Sequence, residues 1–211
     1  MQVLALDTAS PAPSVTLLAH GEAWEERLPD DRRSSEELLP AISRCLAAAR
    51  TALGDCERIA VCAGPGSFTG IRVGLATAWG LGRAAQIPVE SVSTLEALAE
   101  TVRDLGAERV AAALDAGRGQ VVLGVYSLRE ARARLEGAPA RLPLEEARLA
   151  IRGLAGVFLP PDLLGSDALP AARSVSRALA LAIDRAPGQT ASALEGIYAR
   201  PSAAEEKRGA P

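Results

Sequence analysis

Along the first hundred residues the apolar positions change period several times, and each change marks an element. VLALD at 3 to 7 is an unbroken apolar run ending in Asp, the pattern of a buried strand. SVTLLA at 14 to 19 alternates, His20 and Gly21 supply a two-residue turn, and EAWEERL follows, so the chain opens as a three-stranded meander. Ser34 and Glu37 form a capping box ahead of LLPAISRCLAAAR, where Leu38, Leu39, Ile42, Leu46 and Ala49 recur on one helical face. Pro40 weakens the first turns of this helix and leaves its start undefined. RIAVCAG at 58 to 64 predicts a buried strand, the glycine-rich stretch after it a helix, and PVESV at 88 to 92 a short strand. Ser93 and Glu96 cap a further helix whose apolar face is Leu95, Leu98, Ala99, Val102 and Leu105, with Gly106 at its end.

The pattern then begins again. AALDAGRG at 112 to 119 closes an apolar strand with Ala113, Leu114 and Asp115, as Ala5, Leu6 and Asp7 close the first, and QVVLGVYS follows as SVTLLA does. Recurrence within matching strand, turn and strand contexts predicts a duplicated α/β unit. The second copy is degenerate, Arg-rich and Pro-containing from 129 to 161, with one clear helix at about 171 to 185 stopped by Pro187 and Gly188. We therefore expect an N-terminal subdomain at 1–106, a second at 107–200, and a mobile tail at 201–211. Two such halves, each bringing an Asp to a strand end, describe duplicated ribonuclease-H-like units in the manner of actin, Hsp70 and hexokinase.

Composition narrows the function. With 211 residues and 48% hydrophobic content the chain is long enough for one large or two small cores. No apolar run is long enough to cross a bilayer and no secretory signal opens the chain, which reads as cytoplasmic. A net charge of -3 and 3% aromatic content argue against direct nucleic-acid binding. The only lysine, Lys207, lies in the tail, so a catalytic core lysine is excluded, and one histidine, His20 in a turn, supports neither a metal cluster nor a serine–histidine nucleophile. Cys45, Cys56 and Cys62 form no CxxC pair and read as small core thiols.

Two constellations carry candidate chemistry. Asp7 with Thr8 and Ser10, and Asp115 with Gly117, are placed to form facing phosphate loops that hold a Mg-nucleotide by hard oxygen ligands. The same Asp residues are equally suited to accepting hydrogen bonds from their own turn amides. Gly64, Gly66 and Gly70 read GxGxxxG after a strand, with Glu90 at ribose distance, a third and weaker dinucleotide reading.

Beyond that turn, Gly70, Gly74, Ala78 and Gly82 recur every four residues and leave a stripe without side chains, with Gly80 a further interior glycine. The four interior glycines together cost roughly 3 to 4 kcal/mol relative to alanine, so close approach of another backbone must offset them. On shape alone the partner is a helix of the same chain, the one at 35 to 50. The alternative is the matching pair of helices of a second molecule.

AGPGSFTGIRVGLATAWGLG, with SEELLP, the ALDTAS start, LDAGRGQVVLGVY and IYARP near the end, resembles the bacterial TsaB family, also called YeaZ. The resemblance covers about residues 1 to 126 and, more loosely, 195 to 201. It implies the duplicated actin-like fold and a non-catalytic subunit in the biosynthesis of threonylcarbamoyladenosine, a modification beside the anticodon of tRNAs. It implies a TsaD-type paralogue and a TsaE-type ATPase as partners, a homodimer when the chain is alone, and only indirect contact with tRNA. No cofactor of its own is implied, with ATP or ADP and Mg at most at an interface of the complex. The partner surface it implies lies on the two N-terminal helices, at Leu38, Leu39, Ile42, Gly70, Ile71, Gly74, Leu75, Ala78, Trp79 and Gly82. Ser34 stands where a His is expected and Trp79 where a Lys is common, and both bear on the details of pairing. Outside the resemblance, an actin-like nucleotide enzyme using Asp7 and Asp115 is the competing function.

Overall fold

A computed structural model of the chain describes residues 1–29, 34–164 and 168–188. β1 (Val3–Asp7), β2 (Ser14–Ala19) and β3 (Glu22–Arg27) form the expected meander, turned at His20 and Gly21, whose φ angles of 52° and 79° suit a two-residue hairpin. α1 (Ser34–Ala48) leads to β4 (Arg58–Cys62), α2 (Phe68–Ala85) to β5 (Val89–Val92), and α3 (Thr94–Glu100) follows. The five strands form one sheet in the order β3-β2-β1-β4-β5, antiparallel through the meander and parallel from β1 to β5.

The unit recurs. β6 (Arg109–Gly117) and β7 (Gln120–Ser127) are antiparallel, β8 (Arg134–Leu135) and β9 (Ala140–Pro143) pair with β7, and α4 (Leu144–Ala150) crosses to β10 (Ala155–Leu159), parallel to β6. Thus β6, β7, β8/β9, α4 and β10 repeat β1, β2, β3, α1 and β4, with β3 broken into two pieces in the copy. This is the duplicated ribonuclease-H-like arrangement of the actin-like class.

Five layers result. α1 and α2 cover the outer face of the first sheet, and α3 and α5 (Val175–Arg185) lie between the sheets, with α5 against β1, β2 and β4. α4 covers the outer face of the second sheet, over Ala111, Ala113, Val121, Leu123 and Phe158. α5, which follows the second repeat in sequence, is thus packed onto the first sheet. Cys45, Cys56 and Cys62 are buried free thiols. No helix among the described residues is long and apolar enough to cross a membrane.

Three local expectations need correction. SVTLLA alternates in sequence, yet all six residues are buried, because both faces of β2 are covered. Its polar positions Ser14 and Thr16 face α5, where each hydroxyl meets Ser176 Oγ at 2.8 Å. Pro40 lies inside α1 without ending it; Pro40 and Glu36 are both on the exposed side, so the carbonyl that Pro40 leaves unbonded meets water. α3 stops at Glu100, short of the expected Gly106, and Ser93 makes no side-chain capping bond: its hydroxyl engages Tyr126, and Glu96 is drawn away to Arg132. The Ser34 side chain and residues 189–211, which include IYARP and the tail, lie outside the described residues.

A buried ionic cluster joins the layers. Glu100 on α3 is 1% exposed and receives Arg103 Nε at 2.6 Å and Arg103 Nη2 at 2.7 Å. Arg185 Nη2 of α5 and the Ala133 amide ahead of β8 each reach it at 2.5 Å. Arg132 binds Glu90 of β5 and Glu96 of α3.

Candidate partner surface and the filled turn

The β1–β2 turn is where the sequence offered a phosphate loop, and the structure brings Asp7, Thr8 and Ser10 together there. Asp7 Oδ1 accepts from the amides of Ala9 and Ser10, each at 3.0 Å, and Oδ2 accepts from the Ser10 hydroxyl. The amides that would cradle a phosphate are therefore already donating to the chain's own carboxylate. Asp7 is fully buried, and burial raises its pKa above the ordinary 3.8 despite the lowering effect of the Ser10 and Ala9 bonds. Asp115 sits on the separate β6–β7 hairpin, exposed, with Oδ1 accepting from the Gly117 amide at 2.7 Å. Both carboxylates thus serve as turn acceptors.

The glycine turn after β4 closes this hairpin from above. Ser67 N donates to Ala9 O at 2.8 Å, and a Cβ on Gly66, which adopts φ 152°, would collide with that same carbonyl. A Cβ on Gly70 would fall far inside contact distance of Thr8 O, while Thr8 Oγ1 donates to Gly70 O at 2.7 Å. This overturns the dinucleotide reading: the space a pyrophosphate would need is filled by Thr8 and Ala9. Glu90, the expected ribose partner, is held by Arg132 and by the Gly188 amide at 2.9 Å.

The bare stripe has the same explanation. A Cβ on Gly74 would meet Thr8 Oγ1 and Val61, one on Gly82 would meet Val89 and the Ile87 carbonyl, and Ala78 is fully buried. The close neighbour is therefore the chain's own first sheet, neither α1 nor a second molecule. Leu38, Ile42, Ile71 and Leu75 are likewise at most 4% exposed and belong to the core. Of the ten residues assigned to a partner surface by the resemblance, only Leu39 is openly exposed, at 54%, while Trp79 is half-buried and the side-chain direction of Gly70 is blocked.

The surface available to a partner is instead the outer side of the same helices. On α2 it comprises Thr69, Arg72, Val73, Ala76 and Gly80, and on α1 Leu39 and Ser43. Arg72 stacks over the Phe68 ring with 3.8 Å to its centroid. Trp79 borders an open cleft of about 620 Å³ shared with Arg83, Gln86 and Pro88, and its Nε1 is shielded with no acceptor among the described residues. α2 contains Arg72 and Arg83 and lacks acidic residues, while α1 carries Glu36 and Glu37 in its first turn. The signal in the sequence was Arg72, which marks the solvent side of α2 as Gly74 and Gly82 mark the inner side.

Asp7 also yields a pH prediction. A carboxyl whose folded pKa is raised binds its proton more tightly in the folded state, so its contribution declines as pH rises from the unfolded value near 3.8 through the raised value. Wild-type stability minus that of Asp7→Asn therefore falls over that interval and is flat above it, in denaturant titrations at stepped pH. A difference rising with pH contradicts the burial argument.

The duplicated fold and the filled turn place the chain in the actin-like class without an open phosphate loop. The family described as TsaD, tRNA N6-adenosine threonylcarbamoyltransferase, matches residues 30–141. The chain is 41% identical over 129 residues to the tRNA threonylcarbamoyladenosine biosynthesis protein TsaB of Escherichia coli K12, a match over 60% of this chain and 55% of that protein. To TsaB of Bacillus subtilis 168 it is 34% identical over 127 residues, again 60% of this chain and 55% of that protein. These matches span about half the length of the curated relatives. The solved structure of YeaZ from Pseudomonas aeruginosa superposes with a TM-score of 0.77 at 34% identity, over 93% of this chain and 99% of that one. The chain belongs to the TsaB/YeaZ family.

Proposed function

We propose that this chain is a non-catalytic partner subunit for a TsaD-type protein in tRNA threonylcarbamoyladenosine modification, acting through the outer face of α1 and α2. Its relatives are named for that pathway and the TsaD family matches more than half of the chain. The observation that carries the reading is the β1–β2 turn, whose amides are spent on Asp7 while Thr8 and Ala9 are covered by the glycine turn. Contact area is what the chain offers instead, from Leu39 and Val73 to the half-buried Trp79. A TsaE-type ATPase joins the pair, and ATP or ADP with Mg is held by the assembly and not by this chain alone. tRNA is met indirectly, the work is cytoplasmic, and without its partner the chain pairs with itself through the same face.

Co-purification tests this. The wild-type chain is expected to retain the TsaD-type paralogue of the same genome, and a Leu39→Asp, Val73→Asp double variant to lose it at least tenfold, since two apolar contacts are replaced by charge. The isolated chain is expected to bind no Mg-ATP by calorimetry. Tight Mg-ATP binding abolished by Asp7→Ala, with the paralogue ignored, supports the actin-like nucleotide enzyme in its place.

A further inference from the structure

The two halves border a half-open cavity of about 340 Å³ beyond the carboxyl ends of β4 and β5, lined by none of Asp7, Thr8, Ser10 and Asp115. Open α/β sheets and subdomain junctions are where small ligands most often lodge, in mostly apolar pockets with a few convergent polar groups. Here Leu95 on α3, Val122 on β7 and Leu135 on β8 supply apolar walls from both halves. Tyr126 is 2% exposed and engages Ser93, and burial pushes its phenol up to about 12, so it is a neutral hydrogen-bonding group at physiological pH.

Glu96 is the distinctive wall residue. Arg132 Nε at 3.1 Å and Nη2 at 2.5 Å both address Glu96 Oε1, so Oε2 has no partner among the described residues. Arg132 is shared between Glu96 and Glu90, and the cavity lining itself carries one carboxylate, Glu96, and one guanidinium, Arg141. A cation therefore gains little there, and an anion meets Glu96. A neutral N–H donor satisfies the spare oxygen without adding charge.

We propose that this cavity is a binding site for a small, neutral, largely apolar molecule bearing an amide-type N–H, with Glu96 Oε2 as acceptor and the Leu95, Val122 and Leu135 walls around its body. Burial raises the pKa of Glu96 against the lowering effect of Arg132. The site is independent of the partner reading, because it lies between the sheets and not on the outer face of α1 and α2.

Benzamide, nicotinamide, benzylamine and benzoate serve as probes, added to the full chain and followed by ligand-observed NMR and calorimetry. The amides are expected to bind and the acid and amine to bind more weakly. Ala140→Phe, which fills the cavity from β9, is expected to abolish amide binding, with folding checked by circular dichroism. Glu96→Gln is expected to weaken it about tenfold, because a side chain whose oxygen serves Arg132 turns its own N–H toward the ligand. Amides that fail to bind at millimolar concentration, that bind both variants as tightly as wild type, or that bind no better than benzylamine overturn the assignment. Should Ala140→Phe not fold, the Glu96→Gln comparison decides.

Discussion

Replacing Gly70 by alanine lowers the stability of the chain by about 3 kcal/mol, well beyond the usual range for a helical glycine, where alanine stabilises by up to about 1 kcal/mol. The added methyl is driven into Thr8 O, a backbone atom at the end of β1 that cannot swing aside. Either the N-terminus of α2 lifts off the sheet or the hairpin shifts and loses the Thr8 to Gly70 hydrogen bond. Gly74→Leu behaves in the same way, because its Cβ meets Thr8 Oγ1 and Val61. Gly80, with open space where a Cβ would sit, is the control: Gly80→Ala raises stability by up to about 1 kcal/mol. Urea unfolding of the three variants checks the set, and a Gly70→Ala chain as stable as wild type contradicts the packing.

Glu100→Gln costs about 3 to 5 kcal/mol, the range for breaking a buried ion pair from one side. The carboxylate accepts from Nε and Nη2 of Arg103, from Arg185 and from the Ala133 amide, so its neutralisation leaves two guanidinium groups without their counter-charge and the Ala133 amide with a weaker acceptor. Because Arg185 lies on α5 and Ala133 ahead of β8, the loss falls on the packing between the two halves. The exposed pair of Glu108 and Arg129, 68% and 72% accessible, is the contrast, and Glu108→Gln changes stability by about 1 kcal/mol or less. Thermal unfolding of the two variants separates them; equal shifts contradict the buried role of Glu100.

Much of this was legible in the residues. The unbroken run VLALD, the His20-Gly21 turn and the return of Ala-Leu-Asp at 113 to 115 led to the meander, its hairpin and the duplication, because strand burial and turn chemistry are local properties. The recurrence could not show that β3 is broken into β8 and β9 in the copy, since strands of two and four residues carry too little pattern to count. Nor did the glycine stripe reveal its neighbour. Spacing identifies a face that another backbone approaches, but whether that backbone is a helix, a second chain or the end of β1 is decided by tertiary contacts. Asp7 illustrates the same limit: a carboxylate at a strand end suits a phosphate loop and an Asp turn equally, and only the positions of the Ala9 and Ser10 amides distinguish them. The cavity at Glu96 left no motif, because its walls come from separate segments between Pro65 and Arg141 that are united only by the docking of the sheets.

The outer face of α1 and α2 as the working surface is tested most directly by titrating the TsaD-type paralogue into this chain in a calorimeter. The account predicts a saturable complex that Leu39→Asp with Val73→Asp abolishes, and that Asp7→Asn and Ala140→Phe leave intact. Unaltered affinity in the double variant, with its fold preserved, contradicts it.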